Sequence, residues 1–378
     1  MLILDLYVLR QFMKILGVAF FALVSLYVII DAFNNLEEFQ LYAERTAQNI
    51  LLIVFDYYRV HALTVFDRTY GMLALLASMA TIAWFYRTRE LTAILSGGIS
   101  KWRVVRPIIV ATIAVSGLGM ANREWWMPHY RDRLTRNAQD WLGDTPRPFV
   151  PRFDHHTNIL LGGRCVIRGR QRVDHPTFRL PANLARFGDK LIAAYATYLP
   201  PQDDRSAGFR LVDVERPENL AEIPSEYDQQ QPLVLTSFDT DWLGPRECFV
   251  ATHLTFEQLA TGDQWQRYTS TRELIEQLRN PSDRVGAETR VRIHARIVQP
   301  VLDISLVFLG LPLVLRREQP RLFVAIGWGL LAVCGFAAAV ITCHALGDNY
   351  LLSPVLATWC PLFLFLPLAV LISRPLQE

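Results

Sequence analysis

The sequence predicts a membrane protein with six transmembrane helices, three on each side of an inserted all-β domain. The chain has 378 residues, of which 51% are hydrophobic, and the apolar residues gather in blocks near its two ends. Six of these blocks approach the roughly 20 apolar residues that a spanning helix needs. The polar stretch between the two sets carries short apolar runs separated by Gly, Pro and Asp-Asn, a pattern typical of strands and turns.

The predicted spans divide the chain into three regions. The spans cover residues 11–30, 63–85, 104–121, 298–315, 322–343 and 354–373. We therefore expect helices one to three within residues 1–121, the β domain with flanking helices within 122–297, and helices four to six within 298–378. The first block is longer than the apolar core of a signal peptide and no small-residue cleavage site follows it, which favours a span over a cleaved leader.

Charges in the short connections predict the orientation. Lys and Arg gather before span one, between spans two and three, between spans four and five, and after span six; they are Arg10, Lys14, Arg87, Arg89, Lys101, Arg103, Arg106, Arg316, Arg317, Arg321 and Arg374. The connection between spans five and six has neither residue type. Because positive connections stay in the cytoplasm, both termini are expected there and the large middle domain outside.

The middle domain is expected to form a sandwich or roll of short strands. Candidate strands cover residues 158–161, 165–168, 190–199, 209–214, 233–238 and 248–254. Helical patterns at 125–142 and 270–278 lead into and out of this region. Several short strands with regularly spaced turns are typical of such all-β folds.

Composition and motifs exclude several functions. The net charge of +2 gives no basic field for nucleic acid. The chain has no phosphate loop and none of the common hydrolase motifs, so we predict no catalytic residue, cofactor or metal. The adjacent His155 and His156 would point to opposite faces of a strand. Cys165 and Cys248 either form a disulfide or are two small buried side chains, and the sequence leaves both possibilities open.

An amphipathic segment joins spans two and three. Thr88 is a plausible N-cap, apolar residues follow at helical spacing, and Gly97-Gly98 ends the helix. Ser100 is placed to cap the next helix. The segment is either an interfacial helix on membrane lipid or a helix that docks in a groove of a partner ATPase, and its physical pattern fits both.

Two motifs and the overall layout resemble one family. The stretch ELTAILSGGIS at residues 90–100 resembles the coupling segment of the LptF/LptG permeases of lipopolysaccharide export. The stretch RIHARIVQP at 292–300, followed by LGLPL at 309–313, resembles the start of that family's fourth span. The order of three spans, a β domain and three spans is similar to the family over nearly the whole chain.

The resemblance implies a fold, a function and partners. It implies a periplasmic β-jellyroll, an inner-membrane location, and lipopolysaccharide taken laterally from the outer leaflet into a cavity walled by spans one and five. The implied partners are a cytoplasmic ABC ATPase dimer, a second LptF/LptG-type permease and periplasmic LptC/LptA-like jellyroll proteins. The implied ATPase-coupling residues are Arg87, Arg89, Glu90, Leu91, Ile94, Leu95, Gly97, Gly98, Ile99 and Ser100.

An anionic, multi-acylated lipid needs an apolar cavity with cations near its outer rim. The candidates are Arg45, Arg59, Arg68, Arg123, Arg292 and Arg296, with Arg131 on a helix expected to be solvated. Arg68 alternatively pairs with Asp67. The chain departs from the family at residues 31–38, which carry acidic rather than basic side chains. Asp303, close to Pro300 in span four, is expected to cap backbone groups that the proline frees.

Two other functions compete with transport. A membrane-anchored periplasmic binding or assembly module would not contact an ATPase. An integral-membrane enzyme acting on lipid would need a general acid and base, for which Asp303 and His294 are the ionisable groups nearest span four.

Overall fold

The chain forms two compact units in a computed structural model that describes residues 2–136, 138, 146–202, 205–228, 231–280, 286–315 and 322–373. One unit comprises Met1–Tyr130 and Gly286–Glu378, and the other comprises Arg131–Val285. The second unit is shorter at both ends than the predicted β region, residues 122–297. The predicted boundaries at 121–122 and 297–298 stay predictions.

The helices include six that are long and apolar enough to cross a membrane, which confirms the predicted number within the described part of the chain. In chain order the helices are α1 Leu2–Asn34, α2 Leu36–Thr46, α3 Ile50–Arg87, α4 Glu90–Ser96, α5 Lys101–Ala121, α6 Met127–His129, α7 Arg131–Leu134, α8 Phe256–Thr261, α9 Thr271–Leu278, α10 Ala287–Leu315, α11 Leu322–Asp348 and α12 Pro354–Ser373. The membrane-spanning candidates are α1, α3, α5 with its extension, α10, α11 and α12.

Several helices extend well beyond the predicted spans. Helix α3 has 38 residues and is about 57 Å long at 1.5 Å per residue, whereas the hydrocarbon core of a bilayer is about 30 Å thick. Asn49 caps its start by accepting a hydrogen bond from the Leu51 N–H. A helix outside the bilayer needs no apolar residues, so hydropathy alone underestimated its length.

The predicted lead-in helix at 125–142 is helical at its start but does not begin as a separate element. Trp125 and Trp126 belong to a π-helical turn, Asn122–Trp126, that continues α5 into α6. Residue 137 and residues 139–142 of the predicted helix lie outside the described part of the chain. The helix of span three therefore runs on without a break where the sequence pattern indicated a new element.

Helices α3 and α10 supply much of the core of the first unit. Leu75, Ile82 and Phe85 of α3 are fully buried, as is Leu311 of α10. Helices α1, α11 and α12 instead direct many large apolar side chains outward. Outward apolar surface is expected of helices that meet lipid or a partner subunit.

The second unit is an antiparallel sheet, as predicted for the middle of the chain. Its strands are β1 Arg147–Pro148, β2 Arg152–Asp154, β3 Ile159–Leu161, β4 Cys165–Ile167, β5 Arg172–Asp174, β6 Thr177–Arg179, β7 Lys190–Leu199, β8 Gly208–Arg216, β9 Glu226–Asp228, β10 Gln231–Thr236 and β11 Glu247–Ala251. The main order is β1-β4-β5-β7-β8-β11-β10-β9. Off this path, β6 pairs with β7, β3 pairs with β6, and β2 pairs with β3. Val173, Leu191, Phe209 and Val250 lie in its core.

The two cysteines of this unit are free thiols, so the disulfide interpretation is not the one that the structure adopts. Cys165 on β4 lies opposite Asp174 of β5. Cys248 on β11 lies opposite Leu211 of β8. Burial, with the charge of the neighbouring Glu247 acting in the same direction, raises the pKa of the Cys248 thiol to about 12. Cys248 is therefore an unreactive core residue.

Candidate functional site

The segment between α3 and α5 is one candidate site, and its helix starts differently from the prediction. Thr88 ends α3, because its N–H and its Oγ1 both donate to the Trp84 carbonyl. Arg89 occupies the N-cap position of α4 with a left-handed φ of 59° and no side-chain capping bond. Thr88 is therefore not the N-cap, and the left-handed residue turns the chain sharply into α4.

The end of α4 is a Schellman motif. The Ile99 N–H donates to the Ile94 carbonyl and the Gly98 N–H donates to the Leu95 carbonyl. Gly98 has a φ of 77°, a conformation that a glycine adopts without strain. Ser100 follows at the N-cap position of α5, although its side chain makes no capping bond. The predicted stop at Gly97-Gly98 is where the helix ends.

The apolar stripe of α4 packs against the protein's own helices. Leu91 is fully buried, and Ile94 and Leu95 pack on the core that α3 and α5 form. The exposed residues of this segment are Arg87, Thr88, Arg89, Thr92, Ala93, Ser96, Gly97, Gly98 and Ser100. A partner that docks here therefore meets a basic and small-residue surface rather than the apolar stripe that the sequence pattern emphasised.

Glu90 is held by a residue far away in the chain. The Tyr7 hydroxyl, in the second turn of α1, donates to Glu90 Oε2 at 2.7 Å. No sequence pattern predicts this contact, since an isolated tyrosine has many possible partners.

The six arginines predicted to bind lipid differ in whether an acid already neutralises them. Arg59 lies 2.9 Å from Asp56, and Arg292 pairs with Glu288. Arg45 at the end of α2 and Arg68 on α3 are exposed, and neither has an acidic partner among the residues that the structure describes. These two side chains are the most available for a phosphate.

Arg123 forms the most enclosed of these ion pairs. Its Nε lies 2.9 Å from Asp67 Oδ1, and the two side chains are 20% and 15% exposed. The alternative in which Arg68 pairs with Asp67 is therefore wrong, because Asp67 faces the π-helical turn after α5. Arg296 on α10 is also buried, and Arg123 is among the charges close to it.

Asp303 takes a different role from the expected capping of backbone groups. It is buried, and its Oδ1 accepts a hydrogen bond of 2.8 Å from Gln299 Nε2. Its carboxyl group packs directly against Gly71 of α3. Asp303 therefore marks a close approach of α10 to α3 rather than a repair of the helix after Pro300.

An apolar groove of about 410 Å³ lies between α1, α3 and α5. Its lining residues include Met13 and Phe20 of α1, Leu63 and Phe66 of α3, and Trp126 of the π-helical turn. Pockets of about 300 to 1,000 Å³ are typical of small-ligand sites. The groove can take an apolar chain, and the sequence did not predict it because its walls come from three separate helices.

The β unit has a cavity of its own, about 520 Å³, lined in part by Arg131, Glu257 and Glu273. Arg131 lies 3.1 Å from Glu257 and 3.7 Å from Glu273, so the expectation of a merely solvated arginine is wrong. Burial, outweighing the attraction of Arg131, raises the pKa of Glu257. The arrangement stabilises the junction of α7, α8 and α9.

The adjacent histidines lie in a turn after β2 rather than on a strand. The His155 ring contacts Phe153, and the His156 ring contacts His253. Within the described ranges, no cluster of three or more His, Cys, Asp or Glu side chains is placed to hold a metal ion.

The model of one protein family, the lipopolysaccharide export system permease LptF/LptG, matches residues 6–160 and 213–375. These two stretches make up most of the chain and include α4, α10 and the groove. The unmatched residues between them contain β4 to β7. No curated protein sequence matches this chain.

Proposed function

We propose that this chain, which belongs to the LptF/LptG family of lipopolysaccharide export permeases, is a membrane subunit of an ABC-type exporter that extracts lipopolysaccharide from the inner membrane. The observation that carries the proposal is the family match across most of the chain. Six long apolar helices and an apolar groove between three of them are consistent with it.

The energy source in this proposal is a separate ATPase. The sequence has no G-x-x-x-x-G-K-[ST] phosphate loop, so ATP is hydrolysed by a cytoplasmic ABC ATPase dimer. The docking segment, defined here as residues 87–100, contacts that dimer through its exposed basic and small residues. A second LptF/LptG-type permease pairs with this one, and the outward apolar faces of α1 and α11 line the lipid path between them.

The lipid is recognised by two kinds of surface. Acyl chains lie along apolar helix faces, and Arg45 and Arg68 meet phosphate groups near the outer side of the membrane. Both termini are cytoplasmic and the β unit is periplasmic in this arrangement. The β unit acts as a jellyroll-like domain that passes lipid to LptC/LptA-like jellyroll proteins. The strands of those proteins can add to an open edge of its sheet.

The proposal is tested by reversing the charge of Glu90. We expect Glu90→Lys to lose co-purification of the ATPase in mild detergent, because it reverses the acidic charge at the start of α4 and so changes the charge pattern that the partner surface has to match. Glu37→Lys, the same change on the exposed face of α2, is the matched control and should retain the ATPase. The measurements are the ATPase recovered with the chain and its turnover in lipopolysaccharide-containing vesicles.

Two outcomes decide between the candidate functions. If Glu90→Lys leaves ATPase association and lipopolysaccharide transport untouched, the docking assignment is wrong. If the unmodified chain recruits no ATPase, a membrane-anchored periplasmic module without transport becomes the better description.

A further inference from the structure

The first turns of α1 contact the docking segment and the helix that follows it. At the start of the segment, the Tyr7 hydroxyl donates to Glu90 Oε2 at 2.7 Å. After it, Asp5 Oδ2 lies 3.9 Å from Arg103 Nη2 in the first turn of α5. Two contacts from neighbouring turns of one helix therefore bracket a segment more than 80 positions away in the chain.

The Tyr7 ring is also placed by packing. It stacks on Phe85 with ring centroids 5.7 Å apart and planes 22° apart. Phe85 is fully buried in the last turn of α3, immediately before the docking segment. The stacked ring aims the hydroxyl at Glu90, so the hydrogen bond forms without ordering a free side chain.

Helix α1 continues from this contact to the apolar groove. Its buried side chains, among those described, are Val8, Phe12 and Leu16, one on each of three successive turns. Beyond them, Gly17 and Phe20 line the groove. At the far end, Asp31 accepts a 2.7 Å hydrogen bond from Tyr58. Helix α1 has no proline that would kink it between this contact and the groove wall.

We propose that Tyr7 is a positioning residue that ties α1 to the docking segment through Glu90, so that displacement of α4 by the ATPase moves the wall of the apolar groove. The inference rests on the proposed function, because it takes residues 87–100 as the docking segment. The hydrogen bond links the docking segment, which the ATPase displaces, to α1, which contacts the acyl chain of the lipid. Tyr7 acts in this proposal only through its hydrogen bond to Glu90.

The test uses the whole complex with its ATPase in vesicles that contain lipopolysaccharide. Tyr7→Phe keeps the stacked ring and removes only the hydroxyl. We expect ATPase association and ATP hydrolysis to be retained, while lipopolysaccharide transported per ATP falls roughly three- to tenfold, the factor for one ordinary hydrogen bond. Tyr42→Phe on α2 removes a hydroxyl elsewhere and should leave the ratio unchanged.

A second variant breaks the same bond from the other side. Glu90→Asp keeps the negative charge but shortens the side chain by one methylene, so the carboxylate no longer reaches Tyr7. It should show a similarly lowered ratio of lipopolysaccharide transported to ATP hydrolysed. The double variant should lose no more than either single variant, because both remove one interaction.

The outcomes separate this inference from the function on which it rests. A wild-type ratio in Tyr7→Phe or in Glu90→Asp overturns the role of Tyr7, and so do additive losses in the double variant. Loss of ATPase association or of thermal stability in Tyr7→Phe also overturns it, since the role is then structural. Retention of the ATPase by Glu90→Lys refutes the docking assignment itself.

Discussion

At the scale of single residues, a missing side chain lets two helices of the membrane unit meet. Gly71 on α3 faces the carboxyl group of Asp303 on α10, and Gln299 holds that carboxyl group from the same helix. A Cβ at position 71 would lie 2.9 Å from Asp303 Cγ and closer still to Oδ1. The absence of a side chain is therefore what admits a polar group into this interface.

Gly71→Ala is expected to destabilise the chain by roughly 1–3 kcal/mol, because the added methyl group overpacks a buried contact. Thermal unfolding of the detergent-solubilised protein measures the effect. Gly117→Ala on α5 is the matched control, since a Cβ there meets nothing within 4 Å. Equal stability of the two variants would show that α3 and α10 do not approach each other at this position.

Residue-level chemistry also separates the arginines that the sequence could not rank. Arg59, Arg123 and Arg292 each have a carboxylate partner, whereas Arg45 and Arg68 are exposed without one in the described ranges. Sequence composition identifies cations near a membrane surface. Only the folded chain shows which of them are already neutralised.

At the scale of elements, α11 and α12 form an antiparallel hairpin near one end of the membrane unit. A Cβ at Gly347 would meet Ala357 and lie 3.9 Å from Pro354 Cα, which sets the register of the two helices. One turn deeper, the thiols of Cys343 and Cys360 interact with each other. Both are free thiols in the structure.

Oxidation catalysed by copper phenanthroline is expected to link Cys343 to Cys360, because their side chains are already neighbours. The chain has five cysteines, one of them the buried Cys248, so the thiols are counted after unfolding in SDS. Maleimide-polyethylene glycol should then add to five thiols without prior oxidation and to three after it, since the link consumes two thiols. Cys334→Ser should leave the link intact and Cys343→Ser should abolish it. An unchanged count of adducts after oxidation would contradict the hairpin register.

The apolar face of the helix in the docking segment packs inside the chain itself. The spacing of Leu91, Ile94 and Leu95 correctly indicated an amphipathic helix that ends at Gly97-Gly98. It did not indicate which side faces a partner, because one apolar stripe packs equally well on a neighbour in the same chain. The left-handed Arg89 and the C-terminal role of Thr88 were likewise invisible to it.

At the scale of the whole molecule, orientation decides whether the β unit meets periplasmic partners. In the described part of the chain, three candidate spanning helices precede the β unit and three follow it. The connections rich in Lys and Arg are expected to remain in the cytoplasm. A reporter enzyme that works only in the periplasm should therefore be active when it is fused near Asp189, in the β unit. A reporter near Gly98, in the docking segment, should show the opposite behaviour.

Protease added to intact spheroplasts gives an independent measurement of the same orientation. It should cut within residues 131–285 and leave residues 87–100 untouched. Cytoplasmic placement of the region around Asp189 would remove the basis for lipid transfer to periplasmic jellyroll proteins, and with it the transport function.

The sequence by itself determined the features that depend on local composition. Six apolar segments, an all-β middle and the family resemblance all follow from residues that lie close together in the chain. The ends of the helices were less predictable, because polar residues interrupt the apolar pattern where the helix continues. In α3 the apolar run at residues 50–55 is separated from the predicted span by Asp56 and Arg59. The turn at Asn122–Trp126 escaped prediction for the same reason.

Only the tertiary structure decided which side chains meet. The Tyr7–Glu90 bond, the Asp67–Arg123 pair and the Gly71–Asp303 contact each join helices separated by many residues in the chain. No short-range pattern encodes such pairs, because each side chain has many possible partners until packing selects one. The open face of the docking segment and the groove beside α1 both result from that selection.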